Sequence, residues 1–281
     1  MNLLIITTEK RKVELSKMKI PLAIFLLLIS FLSFSQEDTK DSSVEEMNKK
    51  RQNPVEGLRS IYGQAVLIPD TGDGTFQSYS IQPVWPFRIS EDIRLMTYTI
   101  IPIQHIPKLS ESTGEATGLG NILFNGYFSP VKKRGNVVWG VGPAIQLPTR
   151  TESILGSNRV SMGPSALIYL TGEKISGGGV IQNYWSLGGS GANKVNLFNL
   201  QYFVYYNFNQ GWFALSNASI VSNWLAERNQ QWQVPLGGGA GKTFKMGKKF
   251  YCGTGQILYN TVKPDYLGNW EFILQLQVIF D

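Results

Sequence analysis

The chain has 281 residues and a formal net charge of +6, yet only 16% of it is charged against 43% hydrophobic, with 29 glycines, seven tryptophans, twelve tyrosines and fifteen phenylalanines. Soluble domains carry roughly 25% charged residues, and beyond the N-terminal region no apolar run reaches the length of a helical membrane span. Together these argue against an ordinary soluble globule and against a helical membrane protein. They leave an all-β chain whose outside faces lipid.

The basic excess is scattered in small clusters such as Lys132-Lys133-Arg134 and Lys248-Lys249. No nucleic-acid motif accompanies them, so no nucleic-acid partner is expected. The single cysteine, Cys252, rules out an intramolecular disulfide and any metal site built on thiolates.

In chain order, Pro21 to Phe34 is apolar except for Ser30 and Ser33, is preceded by Lys17 and Lys19, and is followed by the small residue Ser35. This is the pattern of a cleavable secretory signal peptide over 1–35. Met18 by itself opens a normal signal peptide, which makes residues 1–17 a candidate mis-assigned start. Residues 36–53 are polar and mixed in charge and have almost nothing to bury. They are expected to form a flexible periplasmic segment with at most a turn or two of helix near Val44 to Lys50; a plug inside the barrel is the alternative.

Residues 54–281 are expected to form the barrel. From Leu58 the hydrophobic pattern has period two, the signature of strands. Val137, Trp139, Val141, Ile145 and Leu147 alternate with Gly140, Gly142, Ala144 and Gln146; Leu274, Leu276 and Val278 alternate with Gln275 and Gln277. One face is large and apolar, the other polar or small but scarcely charged, which suits a wet lumen better than a sheet facing bulk water. The pattern gives an antiparallel transmembrane β-barrel of about twelve strands, an even number as single-chain bacterial barrels require. The expected strands are 58–68, 76–87, 93–104, 118–129, 136–148, 159–170, 175–187, 195–208, 212–224, 231–244, 249–262 and 268–280. Longer polar connections, beginning with 69–75, alternate with tight turns, as outer loops alternate with periplasmic turns. All seven tryptophans fall near strand ends, where indole settles at the membrane interface.

Several segments resemble one family as a set. They are Asn53-Pro54-Val55, Gln82-Pro83-Val84, Ile100-Ile101-Pro102, Gly118-Leu119-Gly120-Asn121, Trp139-Gly140-Val141-Gly142-Pro143, Gly163-Pro164-Ser165-Ala166, Gln182-Asn183 and Val234-Pro235-Leu236-Gly237-Gly238-Gly239. The set resembles a bacterial outer-membrane barrel family often labelled transporter, related to the barrel proteins of meta-pathway phenol degradation and frequently mislabelled neuromedin U. The resemblance implies a barrel and, loosely, transport; it brings no catalytic or binding residues.

Three chemical motifs were weighed. Gly237 to Thr243 imitates a nucleotide-binding P-loop, but Leu236 stands where the first glycine must be and no helix follows. His105, the only histidine, is followed by Ile106-Pro107 and has no adjacent serine, so a lipase-like pair on the lipid-facing wall is not expected. Carboxylates are sparse and lack metal-ligand spacing. No catalytic residue, cofactor or metal is therefore expected, and the chain is not expected to be an enzyme. The lumen-lining candidates are Gln82, Asn121, Asn125, Gln146, Asn199, Gln201, Gln256, Gln275 and Gln277, polar residues on the inward parity. They would line a polar, nearly neutral, porin-like space kept roomy by inward glycines, serines and alanines.

The expected function is a channel for small solutes, apolar or aromatic ones among them, in the Gram-negative envelope, with a structural or adhesive surface barrel as the alternative. The expected partners are outer-membrane lipid and the barrel-assembly machinery. The latter would read the last strand, Trp270 to Phe280, with Asp281 departing from a terminal aromatic.

Overall fold

The computed structural model describes residues 42–132, 135–189 and 194–280. The signal-peptide segment lies outside the described residues. The chain first forms a helix, α1 (Ser42–Gln52), then twelve antiparallel strands. These are β1 (Arg59–Thr71), β2 (Gly74–Arg88), β3 (Ile93–Ile106), β4 in two segments (Ala116–Leu119 and Ile122–Pro130), β5 (Val137–Leu147) and β6 (Arg159–Leu170). They continue as β7 (Ile175–Gly189), β8 (Asn196–Asn207), β9 (Trp212–Asn223), β10 (Trp232–Met246), β11 (Lys249–Val262) and β12 (Trp270–Phe280). Each strand pairs with its sequence neighbours, and β12 closes on β1 with Arg59 opposite Phe280 and Leu67 opposite Phe272. Closure leaves no unpaired edge, which lipid, unable to hydrogen-bond a free strand, demands.

The period-two face divides as the pattern predicts. Ile81, Phe87, Ile103, Trp139, Val141, Ile168, Leu170, Ile181, Val204, Ile257 and Phe272 are exposed on the outside of the wall. No helix among the described residues is long and apolar enough to cross a membrane. At the short-turn end, Arg59 lies over the Trp85 ring, Lys242 over Trp212 and Lys249 over Phe280. Each aliphatic stem can lie along the apolar wall while its charge reaches water.

Three details differ from the sequence expectation. The first long connection does not exist: β1 runs to Thr71 and β2 begins at Gly74, with positive φ at Asp70 (56°) and Gly72 (55°) turning the chain tightly. Here Pro69-Asp70-Thr71 belongs to a strand, because turn residues mark a bend without fixing where the ladder stops. β4 is interrupted at Gly120-Asn121. Residues 36–53, expected to be flexible, carry the eleven-residue helix α1 from 42 onward. It has no apolar face to have announced it, and its partners are the barrel itself.

If the long-loop end faces outward, cysteines at Ser112 and Ser153 will react with an impermeant maleimide on intact cells. Cysteines at Lys174 and Lys248 will react only after permeabilisation. The reverse pattern would invert the barrel in the membrane.

Candidate functional site: the barrel interior and its plug

The interior is built from inward side chains in two zones. Toward the short turns, Val84, Met96, Tyr127, Val138, Leu167, Tyr169, Val180 and Phe203 form one buried cluster with Val55, and Tyr62, Tyr98 and Tyr205 pack against it. Phe213, Leu215 and Cys252 adjoin through Tyr205. The rings meet edge-on or tilted at centroid distances of 6.0 Å for Tyr169–Phe203 and Tyr205–Phe213, and 6.2 Å for Tyr62–Tyr98, the geometry aromatic quadrupoles favour. The expected polar, roomy lumen is thus corrected for this half of the barrel: its inner wall is aromatic and packed.

The nine amide candidates lie on inward-facing positions, and three of them, Gln82, Asn125 and Gln277, bond to tyrosines. Gln82 donates to Gln64 and to Ser80 Oγ (2.8 Å) and accepts from the Tyr98 hydroxyl. Asn125 Oδ1 accepts from Tyr184 (3.2 Å), and Gln277 Nε2 donates to Tyr62 (2.8 Å). Gln201 donates to Asn217 (3.0 Å), and Gln256 Oε1 accepts from the Asn217 backbone N–H (2.9 Å). There the β9–β10 ladder is interrupted, and Ser216 Oγ donates to the Gly237 carbonyl (2.6 Å). Gln275, half-buried, stands between Gln64 on β1 and Thr254 on β11. Gln146 Oε1 and Asn199 Oδ1 are buried acceptors with no partner among the described residues.

Asn121 serves another purpose. It donates to the Ser157 carbonyl (2.9 Å) and accepts from the Arg150 N–H (3.3 Å). With Thr149 bonding to Gly120 and Ile122, it draws the 148–158 connection onto the inner side of β4. Leu155 is only 3% exposed there, and a Cβ added at inward-facing Gly118 would lie 3.1 Å from its Cδ1. The longest described connection therefore folds into the barrel mouth.

At the opposite mouth sits α1. Asn48 is 2% and Gln52 3% exposed. Asn207 at the end of β8 accepts from Asn48 (2.9 Å) and from Gln52 (2.7 Å), and Ser176 on β7 donates to Gln52 (2.9 Å). Arg51 Nε donates to Thr243 Oγ1 on β10 (2.8 Å), Thr243 donates to Asn48 (2.8 Å), and the guanidinium lies 4.3 Å from the centre of the Phe213 ring. Every one of these docking hydrogen bonds is polar side chain to polar side chain. On the outer side of the helix, Lys50 pairs with Glu46 at 2.6 Å and holds that carboxyl below its usual range. After the helix, Arg94 reaches the carbonyls of Val55 and Glu56, tying the segment across the mouth before Gly57 (φ 94°) turns it into β1. Beside the helix, a cavity of about 190 Å³ is lined by Lys49, Gln52, Glu56, Tyr169 and Ser176, among others.

The remaining motifs have structural places. Gly237 to Thr243 is the middle of β10, and a Cβ at Gly239 would meet the Gly255 carbonyl at 1.8 Å, so the glycines let two strands approach. His105 is outward on β3 and shares a 2.8 Å contact with Thr117 on β4. No group of three or more potential metal ligands occurs among the described residues.

No family model and no curated relative matches the chain. Among solved structures, an outer-membrane channel from Pseudomonas putida F1 aligns with a TM-score of 0.61 at 14% identity, over 80% of this chain and 96% of that one. The NanC porin aligns at 0.50 and 11% identity, over 79% and 99%. The CymD monoaromatic hydrocarbon channel aligns more loosely, at 0.45 and 7%, over 83% and 92%. At such identities the likeness is one of fold, and the fold is that of outer-membrane β-barrels.

Proposed function

We propose that the protein is an outer-membrane channel for small apolar or aromatic solutes, exported by a cleaved signal peptide over 1–35 and closed at its short-turn mouth by α1. The observation that carries this is the interior itself. A tyrosine-rich inner wall offers flat apolar faces with hydroxyls at their edges, and such surfaces take aromatic and amphipathic solutes rather than hydrated ions. The likeness in fold to an outer-membrane channel and a porin supports the same reading. Gln146 and Asn199 offer acceptor oxygens to a solute hydroxyl or amine. A surface-anchoring role is less well supported, because part of the longest described connection, at Leu155 and Ser157, turns inward.

The test is reconstitution of the refolded mature chain in liposomes, following uptake of a small phenol and of a sugar of similar size. Faster uptake of the phenol than in empty liposomes, with little sugar entry, is expected. Equal entry of both would mean an unselective pore, and entry of neither, even without α1, would favour the anchoring role. In cells the protein is expected to fractionate with the outer membrane and to change its gel position on boiling; recovery as a soluble periplasmic monomer would overturn the placement.

A further inference from the structure

We propose that the lipid-facing surface of β11, β12, β1 and β2 at the short-turn end holds an anionic phospholipid, its phosphate between Arg59 and Lys249 and one acyl chain in a trough floored by Gly63 and Ala65. This rests on the reading of the chain as a membrane-spanning barrel, and concerns its outer wall rather than its lumen.

The cations come first. Arg59 opens β1 and stands directly opposite Phe280 on β12. Lys249 opens β11, one residue before Phe250, which is opposite Ile279. The two cations thus flank the Phe280 ring from the strands on either side of β12, with backbones about two strand spacings, roughly 10 Å, apart, a gap their long side chains can close on one phosphate. Lys249 Nζ is 4.8 Å from the Phe280 ring centre, and the Arg59 guanidinium is 5.7 Å from that of Trp85. Both residues are exposed, and neither forms an ion pair among the described residues. Two cations held over aromatic rings at the edge of the apolar wall present a fixed positive charge at headgroup level. A phosphate diester supplies the complementary charge and can accept from a guanidinium and an ammonium together.

The trough is the second, independent feature. Gly63 lies between Leu276 and Ile81, and Ala65 between Leu274 and Tyr79. A Cβ added at Gly63 would meet nothing within 4 Å, while Ile81 beside it is 61% exposed. Large side chains on both flanks, with only Gly63 and the Ala65 methyl on the floor, leave a furrow along β1 that is bounded toward Arg59 by the single side chain of Ile61. An acyl chain below a headgroup at Arg59 would follow that line. The occupant is a phospholipid rather than a soluble anion because charge and furrow are continuous on one lipid-facing wall.

The full mature barrel is refolded, embedded in phosphatidylcholine nanodiscs containing phosphatidylglycerol, released into mild detergent, and assayed for retained lipid by native mass spectrometry. Retention of phosphatidylglycerol over phosphatidylcholine is expected. At about fivefold per cation near a membrane surface, the double variant Arg59→Gln/Lys249→Gln should weaken that preference about thirtyfold. Gly63→Leu, which fills the furrow and leaves both charges, should lower retention of either lipid, whereas Lys132→Gln/Lys174→Gln, elsewhere on the same rim, should change nothing. Unchanged preference in the first double variant, or an equal loss in the second, overturns the site in favour of diffuse surface charge. Heat-modifiability on gels reports barrel assembly separately. Should the double variant not assemble, the single variants Arg59→Gln and Lys249→Gln decide the matter: each is expected to weaken the preference about fivefold, and an unchanged preference in both overturns the site. A chain that never forms a barrel defeats the membrane reading instead of the lipid site.

Discussion

Leu276→Arg is expected to lower the amount of assembled barrel, whereas Gln275→Arg, one residue away, is expected to assemble nearly as the wild type. Leu276 is outward on β12 opposite Gly63 and Gly253, and Gln275 is inward opposite Gln64 and Thr254. Arginine facing the bilayer midplane costs about 2–4 kcal/mol, a large part of a fold stabilised by roughly 5–15 kcal/mol. At Gln275 the charge enters a half-buried polar layer and keeps partners. Gln277, of the same parity, is not an equivalent control. It is 2% exposed and donates to Tyr62 in the packed zone, where a larger side chain costs about 1–3 kcal/mol by overpacking. The expected order of assembled protein, read from unboiled gels, is Gln275→Arg, then Gln277→Arg, then Leu276→Arg. If Leu276→Arg assembled as well as Gln275→Arg, this strand would not be in a membrane.

Removing α1, by deleting residues 42–52, is expected to give the largest gain in permeability available from a single change. The helix sits in the short-turn mouth on polar bonds to Asn207, Ser176 and Thr243, with no apolar face to strengthen them. Gln52→Ala removes two bonds with Asn207 and one from Ser176. At about 1 kcal/mol net each, the loss of roughly 3 kcal/mol shifts the docked-to-undocked ratio on the order of a hundredfold. Planar-bilayer recordings should show rare openings in the wild type, frequent ones in Gln52→Ala and sustained conductance in the deletion. Arg94→Gln, which frees the carbonyls of Val55 and Glu56 while leaving α1 intact, should fall between wild type and deletion. Identical conductance in all four would mean that α1 does not limit passage.

Both expectations turn on which features the sequence could reveal. The lipid face was legible because strand geometry sends alternate side chains to opposite faces and a bilayer accepts only apolar ones, so Leu274, Leu276 and Val278 declare their side at once. The same rule placed the nine amides on the inner face. It could not say what else they would meet. Leu167-Ile168-Tyr169-Leu170 and Tyr202-Phe203-Val204-Tyr205-Tyr206 are continuous apolar runs, and a strand apolar on both faces is buried on both. That signal for a packed interior was present, but it is hard to separate from an ordinary outward stripe when each strand is taken alone.

Local sequence determined the strands and their parity, because period, turn residues and interfacial aromatics are properties of neighbours along the chain. Tertiary structure alone decided that Asn121 would anchor an inward-folded connection and that Val55 would join the tyrosine cluster. It also decided that the charged segment Ser42–Gln52 would become a helix inside the mouth. Read by itself, that segment has nothing to bury and no reason to fold. Its partners, Asn207 and Thr243, lie more than 150 residues away, and only a closed barrel brings their polar groups into a ring that a helix of matching polarity can satisfy.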